Sequence, residues 1–138
     1  MPFVETYRGV ITQADCDHLG HMNAARYVGL CGDAVIALQN MWGVTPDDVR
    51  NGRRISFAVV RMESDFSAEV QVGEAVTMQT AVLQVGGKSM LLRHQLLRAD
   101  GVIAFDTMFR VVLFDLVTRR AAAIPPEVRV KAEAMVEA

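Results

Sequence analysis

The sequence predicts an α+β domain in which a curved antiparallel sheet of about five strands wraps around one long central helix. Two observations support this prediction. Residues 24–42 form a helix candidate that is apolar nearly all round, so it must be covered nearly all round. From residue 55 onward, the chain alternates in hydrophobicity between short turns, which is typical of strands. One sheet can cover such a helix only by curling around it.

Length and composition limit the classes of protein to which the chain can belong. A length of 138 residues predicts one domain, spanning residues 1–138. The 51% of residues that are hydrophobic are enough for a sizeable core. A net charge of −2 gives no electrostatic reason to expect nucleic acid or an acidic membrane surface as partner. Arg26 and Asp33 within the apolar helix argue against a membrane span.

The N-terminus and the cysteines indicate a cytoplasmic protein. The first residues, MPFVETYRG, contain no basic segment followed by an apolar run, so no signal peptide is predicted. Cys16 and Cys31 form neither a disulfide framework nor a metal-binding pattern, which favours a reducing compartment. No cofactor is expected.

The first third of the chain predicts a strand, a loop and the central helix. Residues 3–14 alternate loosely and indicate a first strand. Asn23 is a plausible N-cap for the helix, and Gly43 ends it. Residues 45–54 are predicted to be a polar connection.

The remainder predicts a meander and a short terminal helix. Gly86-Gly87 and Asp100-Gly101 are turn signals, and Pro125-Pro126 starts the helix. Adjacent hairpins need no crossover, so the last four strands are predicted to pair in chain order. An exposed edge and outer face predict dimerisation. The four strands are predicted at 55–66, 75–85, 88–98 and 102–114.

Polar residues are concentrated between the first strand and the helix, in the run DCDHLGHMNAARY at 15–27. Asp17 lies just before the helix start, where unpaired N–H groups and the helix dipole favour an anion. A carboxylate there can attack a carbonyl or take a proton from water, and the N–H groups can stabilise a developing oxyanion. The alternative is that Asp15 or Asp17 only caps the turn.

The other polar residues of this run also have two interpretations each. His21 can transfer a proton, or it can bond the backbone and stiffen the loop. Asn23 is an N-cap or a substrate ligand, and Tyr27 lines a pocket or the core. Asp15, Asp17 and His21 together resemble a metal-binding trio, but no later cluster completes it, so no metal site is expected.

The run from Asp15 to Tyr27 resembles the D-x-D-x-x-G-H-x-N-x-x-x-Y signature of the 4-hydroxybenzoyl-CoA thioesterase-like branch of the hotdog-fold superfamily. Two features depart from many relatives: Ala24 stands where a second Asn is common, and Ser56 stands where some have Gly. The later part of the chain also resembles the last hairpin and exit of that family, at Phe114-Asp115, Thr118-Arg119 and Ile124-Pro125.

This resemblance implies the hotdog fold, assembled as a homodimer or homotetramer with active sites at the dimer interface. It implies hydrolysis of an acyl-CoA thioester to a carboxylate and free CoA. Asp17 would be the catalytic carboxylate, acting either as a nucleophile through a mixed anhydride or as a general base on water. The backbone near Ser56 would approach the thioester. His21, Asn23 and Tyr27, next to Asp17 in the sequence, are predicted to bind the substrate.

The phosphates of CoA need cations, and paired arginines can supply them. Arg53 and Arg54 are the first candidates, with Arg119, Arg120 and Lys88 as others. For each of them the alternative is a solvated surface charge.

Two other functions compete with thioester hydrolysis. An Asp17/His21 pair imitates the catalytic pair of a hotdog hydratase or dehydratase of acyl thioesters. A hotdog dimer can also bind acyl-CoA without turnover. Release of CoA thiol distinguishes hydrolysis from both of them.

Overall fold

The computed structural model describes residues 2–137, and it confirms the predicted fold class. Five strands form one antiparallel sheet that curls around the long helix α1. In chain order the elements are β1 (Val4–Val10), α1 (Ala24–Met41), α2 (Pro46–Arg50), β2 (Ile55–Phe66), β3 (Ala75–Val85), β4 (Ser89–Arg98), β5 (Ile103–Asp115), the two-residue β6 (Arg120–Ala121) and α3 (Pro126–Glu137).

Helix α1 begins and ends where the sequence predicted. The Asn23 side-chain oxygen accepts a hydrogen bond from the backbone N–H of Ala25 at 2.8 Å, so Asn23 is the N-cap. Gly43 follows the helix with a φ of +86°, a left-handed conformation that glycine adopts without a Cβ penalty. Within residues 2–137, no helix has the length and apolar character that crossing a membrane requires.

The sheet covers only one side of α1, so the prediction that the helix is buried nearly all round is wrong for the single chain. Ile36 remains 53% exposed and Met41 48% exposed, and Gly29, Gly32 and Asp33 are exposed beside them. The reason is that the sheet curls over one flank of the helix and leaves the opposite flank open. The buried flank consists of Tyr27, Leu30, Cys31, Ala34, Val35, Leu38 and Gln39.

The strand order is β1-β3-β4-β5-β2, so the predicted pairing in chain order holds only for β3, β4 and β5. Strand β2 pairs with β5, from Ile55 opposite Asp115 to Phe66 opposite Phe105, while β3 pairs with β1. The cause is the connection between β2 and β3, residues 67–74, which is too long for a tight hairpin. It runs from one side of the sheet towards the other and leaves β2 as an edge strand.

The predicted polar connection at 45–54 contains the short helix α2. Thr45 Oγ1 accepts from the backbone N–H of Asp48 at 3.1 Å, and Asp48 Oδ2 accepts from that of Thr45 at 3.1 Å. Pro46 occupies the first helical position. This capping box with a following proline is a start signal that is readable in the sequence.

A row of polar side chains crosses all five strands on the face that packs against α1. Thr6 Oγ1 lies 3.0 Å from Thr80 Oγ1, which lies 2.7 Å from His94 Nδ1. Thr107 and Ser64 continue the row with their hydroxyl oxygens 2.7 Å apart. His94 is fully buried, and its Nε2 has no hydrogen-bond partner within residues 2–137. This burial lowers the pKa of His94 to about 4.

We expect Asn23→Ala to lower the free energy of unfolding by about 1 kcal/mol, because the first turn of α1 loses its cap. Urea unfolding of the wild type and the variant measures this difference. Asn23→Asp keeps a capping oxygen next to the positive end of the helix, so it should lose much less. Equal losses in the two variants would show that capping is not the reason.

We expect His94 to make stability depend on pH between about 4 and 6.5. The unfolded chain binds a proton at the ordinary histidine pKa of 6.5, whereas the folded chain stays neutral down to about 4. The free energy of unfolding should therefore fall by about 3 kcal/mol as the pH drops through this window. Urea titrations at several pH values measure it. The same titrations of His94→Gln should lack this part of the slope, and an unchanged slope would contradict the assignment.

Candidate active site

Asp15 ties the loop that follows β1 to the start of α1. Its Oδ1 accepts from Arg26 Nε at 2.9 Å, and its Oδ2 accepts from the backbone N–H of Thr12 at 2.8 Å. Its carbonyl oxygen accepts from the backbone N–H of Asn23 at 2.8 Å. The hydrogen bond from Thr12, together with the charge of Arg26, holds the pKa of Asp15 below its ordinary value. Asp15 therefore organises the loop.

Asp17 both shapes the turn and lines a pocket. Its Oδ1 accepts from the backbone N–H of Leu19 at 2.9 Å, and its carbonyl oxygen accepts from that of Gly20 at 3.1 Å. Gly20 has a φ of +86°, which the tight turn requires. The second carboxylate oxygen of Asp17 makes no hydrogen bond within residues 2–137. The capping interpretation is therefore correct for one oxygen, and the other is available.

A pocket of about 440 Å³ lies at the N-terminus of α1 and opens to solvent. It brings together Asp17, His21 and Tyr27, three of the predicted site residues. Three segments form it: the loop before α1, the first turn of α1 and the connection after β2. Its lining residues are Asp17, Leu19, His21, Met22, Ala24, Tyr27, Phe66, Ser67, Ala68 and Glu69.

The backbone N–H of Ala24 is an unused donor at this pocket. Ala24 is the first residue of α1, and its N–H makes no hydrogen bond to residues 2–137. The following N–H groups are occupied, because Asn23 accepts from Ala25 with its side chain and from Arg26 with its carbonyl. The positive end of the helix dipole adds to this donor. It suits an oxygen that becomes negatively charged.

Two aromatic rings, Tyr27 and Phe66, form the floor of the pocket, and a third, Phe105, packs against both. Tyr27, only 3% exposed, meets Phe66 edge to face with ring centroids 5.3 Å apart, and Phe105 lies 5.1 Å from Tyr27 and 4.9 Å from Phe66. Burial raises the pKa of the Tyr27 hydroxyl, and the carboxylates of Glu74 and Glu69 add to this effect. Tyr27 is thus both a core aromatic and a pocket wall.

The opposite wall is the start of the connection between β2 and β3, which the sequence analysis did not identify. The backbone N–H of Ser67 donates to the Ala104 carbonyl at 2.8 Å, and that of Met22 donates to the Val70 carbonyl at 2.7 Å. Between these two anchors lies Glu69. No motif marks this wall in the sequence. The only signal is that the connection is too long for a tight turn.

His21 and Asn23 differ in their relation to the pocket. The half-buried His21 has Nδ1 3.3 Å from the Met22 carbonyl oxygen and Nε2 3.9 Å from Glu69 Oε1. Asn23 is exposed, its side-chain oxygen is occupied by the cap, and it is not among the lining residues. Within residues 2–137, no three His, Cys, Asp or Glu side chains are arranged to hold a metal ion.

Arg53, Arg54 and Ser56 lie at the other end of β2 from the pocket. With a rise of about 3.3 Å per residue, the strand separates Ile55 from Phe66 by about 36 Å. Within one chain, the structure therefore does not bring these three residues to Asp17.

Each of the three has a different local setting. Arg53 is held inside the chain, because it donates to both oxygens of Asp48, to Glu127 at 2.6 Å and to the backbone. Arg54 has a left-handed φ of +56°, and its buried Nε has no hydrogen-bond partner within residues 2–137. Ser56 Oγ donates to Gln39 Oε1 at 3.2 Å.

Residues 11–132 match the family model of the thioesterase-like superfamily. The chain is similar to the L-carnitine dehydrogenase/betainyl-CoA thioesterase of Agrobacterium fabrum, with 31% identity over 110 residues. That match covers 80% of this chain but 22% of the relative, so the chain spans about a fifth of that protein. It is also 28% identical over 122 residues to the long-chain acyl-CoA thioesterase FadM of Escherichia coli, covering 85% of this chain and 88% of FadM.

A solved structure has the same fold. The Staphylococcus aureus protein SAV2348 in complex with CoA superposes with a TM-score of 0.89 at 19% identity, covering 99% of this chain and 87% of that chain. At this identity the likeness concerns the fold alone, and the family model supplies the relationship. The chain therefore belongs to the thioesterase-like superfamily, and it is a thioester hydrolase with the hotdog fold.

Proposed function

We propose that this protein hydrolyses acyl-CoA thioesters to a carboxylate and free CoA, with Asp17 as the catalytic carboxylate. The observation that carries the proposal is the position of Asp17 in an open pocket beside the unused N–H of Ala24. A carboxylate supplies the attacking or proton-accepting group, and the N–H stabilises the oxyanion that forms on the thioester carbonyl. One site thus holds both groups that acyl transfer requires.

Two routes through Asp17 lead to the same products. In the first, the unoccupied carboxylate oxygen attacks the carbonyl carbon, the C–S bond breaks and the CoA thiolate leaves. Water then hydrolyses the mixed anhydride, restoring Asp17 and releasing the carboxylic acid. In the second, Asp17 takes a proton from a water whose oxygen attacks the carbonyl carbon, and the departing thiolate takes up a proton. His21 and Tyr27 line the pocket where the acyl group would lie.

The names of two relatives and the ligand of one structural neighbour support CoA as the thiol component. Both FadM and the Agrobacterium protein are named for acyl-CoA thioesters, and the Staphylococcus protein was solved with CoA. The acyl groups in their names, betainyl and long-chain, differ widely. A cytoplasmic location stays a prediction from the sequence.

We also propose that the active protein is a homodimer, or a tetramer of such dimers, joined through β2. This 12-residue strand is an edge of the sheet and carries the exposed apolar residues Val59, Val60 and Met62. An edge of this length with apolar side chains favours pairing with another strand. The uncovered flank of α1, including Ile36, adds apolar surface for a second copy to bury.

Such pairing would bring two of the predicted residues at the start of β2, Arg54 and Ser56, to the pocket of the other subunit. In an antiparallel β2–β2 contact centred on the middle of the strand, Phe66 of one subunit lies opposite Ile55 of the partner subunit. Ser56 and Arg54 of the partner subunit would then approach the pocket near Phe66. The unpartnered Nε of Arg54 is suited to a phosphate, whereas Arg53 is already bonded within its own chain.

We expect Asp17→Asn to lower kcat/KM for acyl-CoA hydrolysis by about 1,000-fold or more, because the amide can neither attack the carbonyl nor accept a proton. Thiol release from a panel of acyl-CoAs measures the loss. Asp15→Asn is the matched control two residues earlier: it should lower the melting temperature through its lost bond to Arg26 and keep most of the activity.

The other outcomes of this measurement are equally informative. An active Asp17→Asn variant would show that Asp17 only shapes the turn. A folded wild type that consumes an enoyl-CoA without releasing thiol would be a hydratase. Acyl-CoA binding without either reaction would identify a binding protein.

We expect Met62→Asp to convert the oligomer to a monomer, because Met62 is 43% exposed in the single chain and would be buried in the contact. Size-exclusion chromatography with light scattering should give a mass near 15.2 kDa for the variant and at least twice that for the wild type. Val130→Asp, on the exposed side of α3, should behave as the wild type. A monomeric wild type would refute the β2 contact.

A further inference from the structure

The pocket at the N-terminus of α1 is acidic. Asp17 and Glu69 contribute two carboxylates to its lining, and none of the lining residues, all within residues 2–137, is arginine or lysine. The third titratable group near them is His21, whose Nε2 is 3.9 Å from Glu69 Oε1. An acyl group that enters this pocket therefore meets negative charge.

Neither of the two neighbouring guanidinium groups neutralises this charge. Arg26 is occupied by Asp15 at 2.9 Å. Arg98 pairs with Asp100, and it donates to the backbone carbonyl of Glu69 at 3.2 Å and not to the carboxylate. Within residues 2–137, the Glu69 carboxylate makes no ion pair with arginine or lysine. Within the single chain its charge is therefore available to a ligand, and Arg54 of the partner subunit is the residue proposed above for a CoA phosphate.

The apolar part of the pocket also suits a cation. Phe66 is 52% exposed and packs against Tyr27, so aromatic rings form one wall. Aromatic faces attract ammonium and quaternary ammonium groups, and the attraction grows when water is displaced. Phe105 packs behind these two rings.

We propose that the acyl group of the substrate ends in a cation, such as a quaternary ammonium, and that Glu69 is the residue that determines this specificity. The inference rests on the proposed thioester hydrolysis at this pocket. Asp17 faces the reacting carbonyl, so Glu69 is the carboxylate left to recognise the far end of the acyl group. The carboxylate and the aromatic wall together select the charge.

Glu69 is held in place for this role by its backbone. The Arg98 bond fixes its carbonyl, and the next residue, Val70, accepts the backbone N–H of Met22 at 2.7 Å. On the other side, Ser67 is anchored to the carbonyl of Ala104 at 2.8 Å. The side chain itself is 67% exposed, so substituting it should leave the fold intact.

Two isosteric substrates test the proposal. Trimethylammonioacetyl-CoA and tert-butylacetyl-CoA have the same shape and differ only in the charged nitrogen that replaces a carbon. We expect the wild type to prefer the cationic substrate in kcat/KM, measured by thiol release. Glu69→Gln should lower the ratio of cationic to neutral kcat/KM by about 10-fold, as expected for losing one partly screened charge. Glu69→Lys should lower it further. Glu133→Gln, an exposed position on α3 outside the pocket, should leave the ratio unchanged.

The outcomes separate this inference from the function on which it rests. Thiol release from the neutral substrate with a wild-type ratio near one, or a ratio that Glu69→Gln does not change, would overturn the specificity and keep the hydrolase. A folded wild type that releases thiol from neither isostere nor from any member of the acyl-CoA panel would overturn both. Raising the ionic strength should reduce the wild-type ratio, because salt screens a charge this exposed.

Discussion

The burial of one flank of α1 on the concave face of the sheet determines how the first turn of the helix meets the candidate pocket. Tyr27 is held in the floor by this packing, and the N-cap at Asn23 fixes where the helix starts. Since each helical residue turns by about 100°, a rotation by one residue would take Tyr27 out of the floor and turn the N–H of Ala24 away. The core packing thus sets the orientation of the pocket, although most of the lining residues lie outside α1.

Asp17 illustrates how one side chain can hold a turn and still present a free oxygen to a pocket. One oxygen accepts from Leu19 and holds the turn, which restricts the rotamers of the carboxylate. The other oxygen stays unpaired at the pocket. A carboxylate with both oxygens bonded would be a poorer nucleophile, and one with neither bonded would be poorly positioned. The capping and catalytic interpretations are therefore compatible, and a sequence pattern that suggests one does not exclude the other.

Local features of the fold were predictable from the sequence, and features that depend on distant residues were not. The strand at Ala75–Val85 and the cap at Asn23 follow from alternation and side-chain chemistry within a few residues. The position of β2 depends on which edge of the sheet the 67–74 connection reaches, and no local pattern encodes this. The bond between Arg53 and Glu127 joins residues 74 positions apart.

The residues of the pocket also divide into those that a local motif predicts and those that depend on distant parts of the chain. Asp17, His21 and Tyr27 were found because they form one contiguous motif, and they do lie together in the pocket. Phe66 and Glu69 complete the pocket from another part of the chain and carry no motif.

The strand order also has a consequence for folding. The β3–β4–β5 meander is joined by short turns, whereas β1 and β2 close long loops, which is slow because chain entropy must be lost first. Since the loop after β1 and the end of β2 supply the two walls, we expect the pocket to be the last part of the domain to assemble during folding.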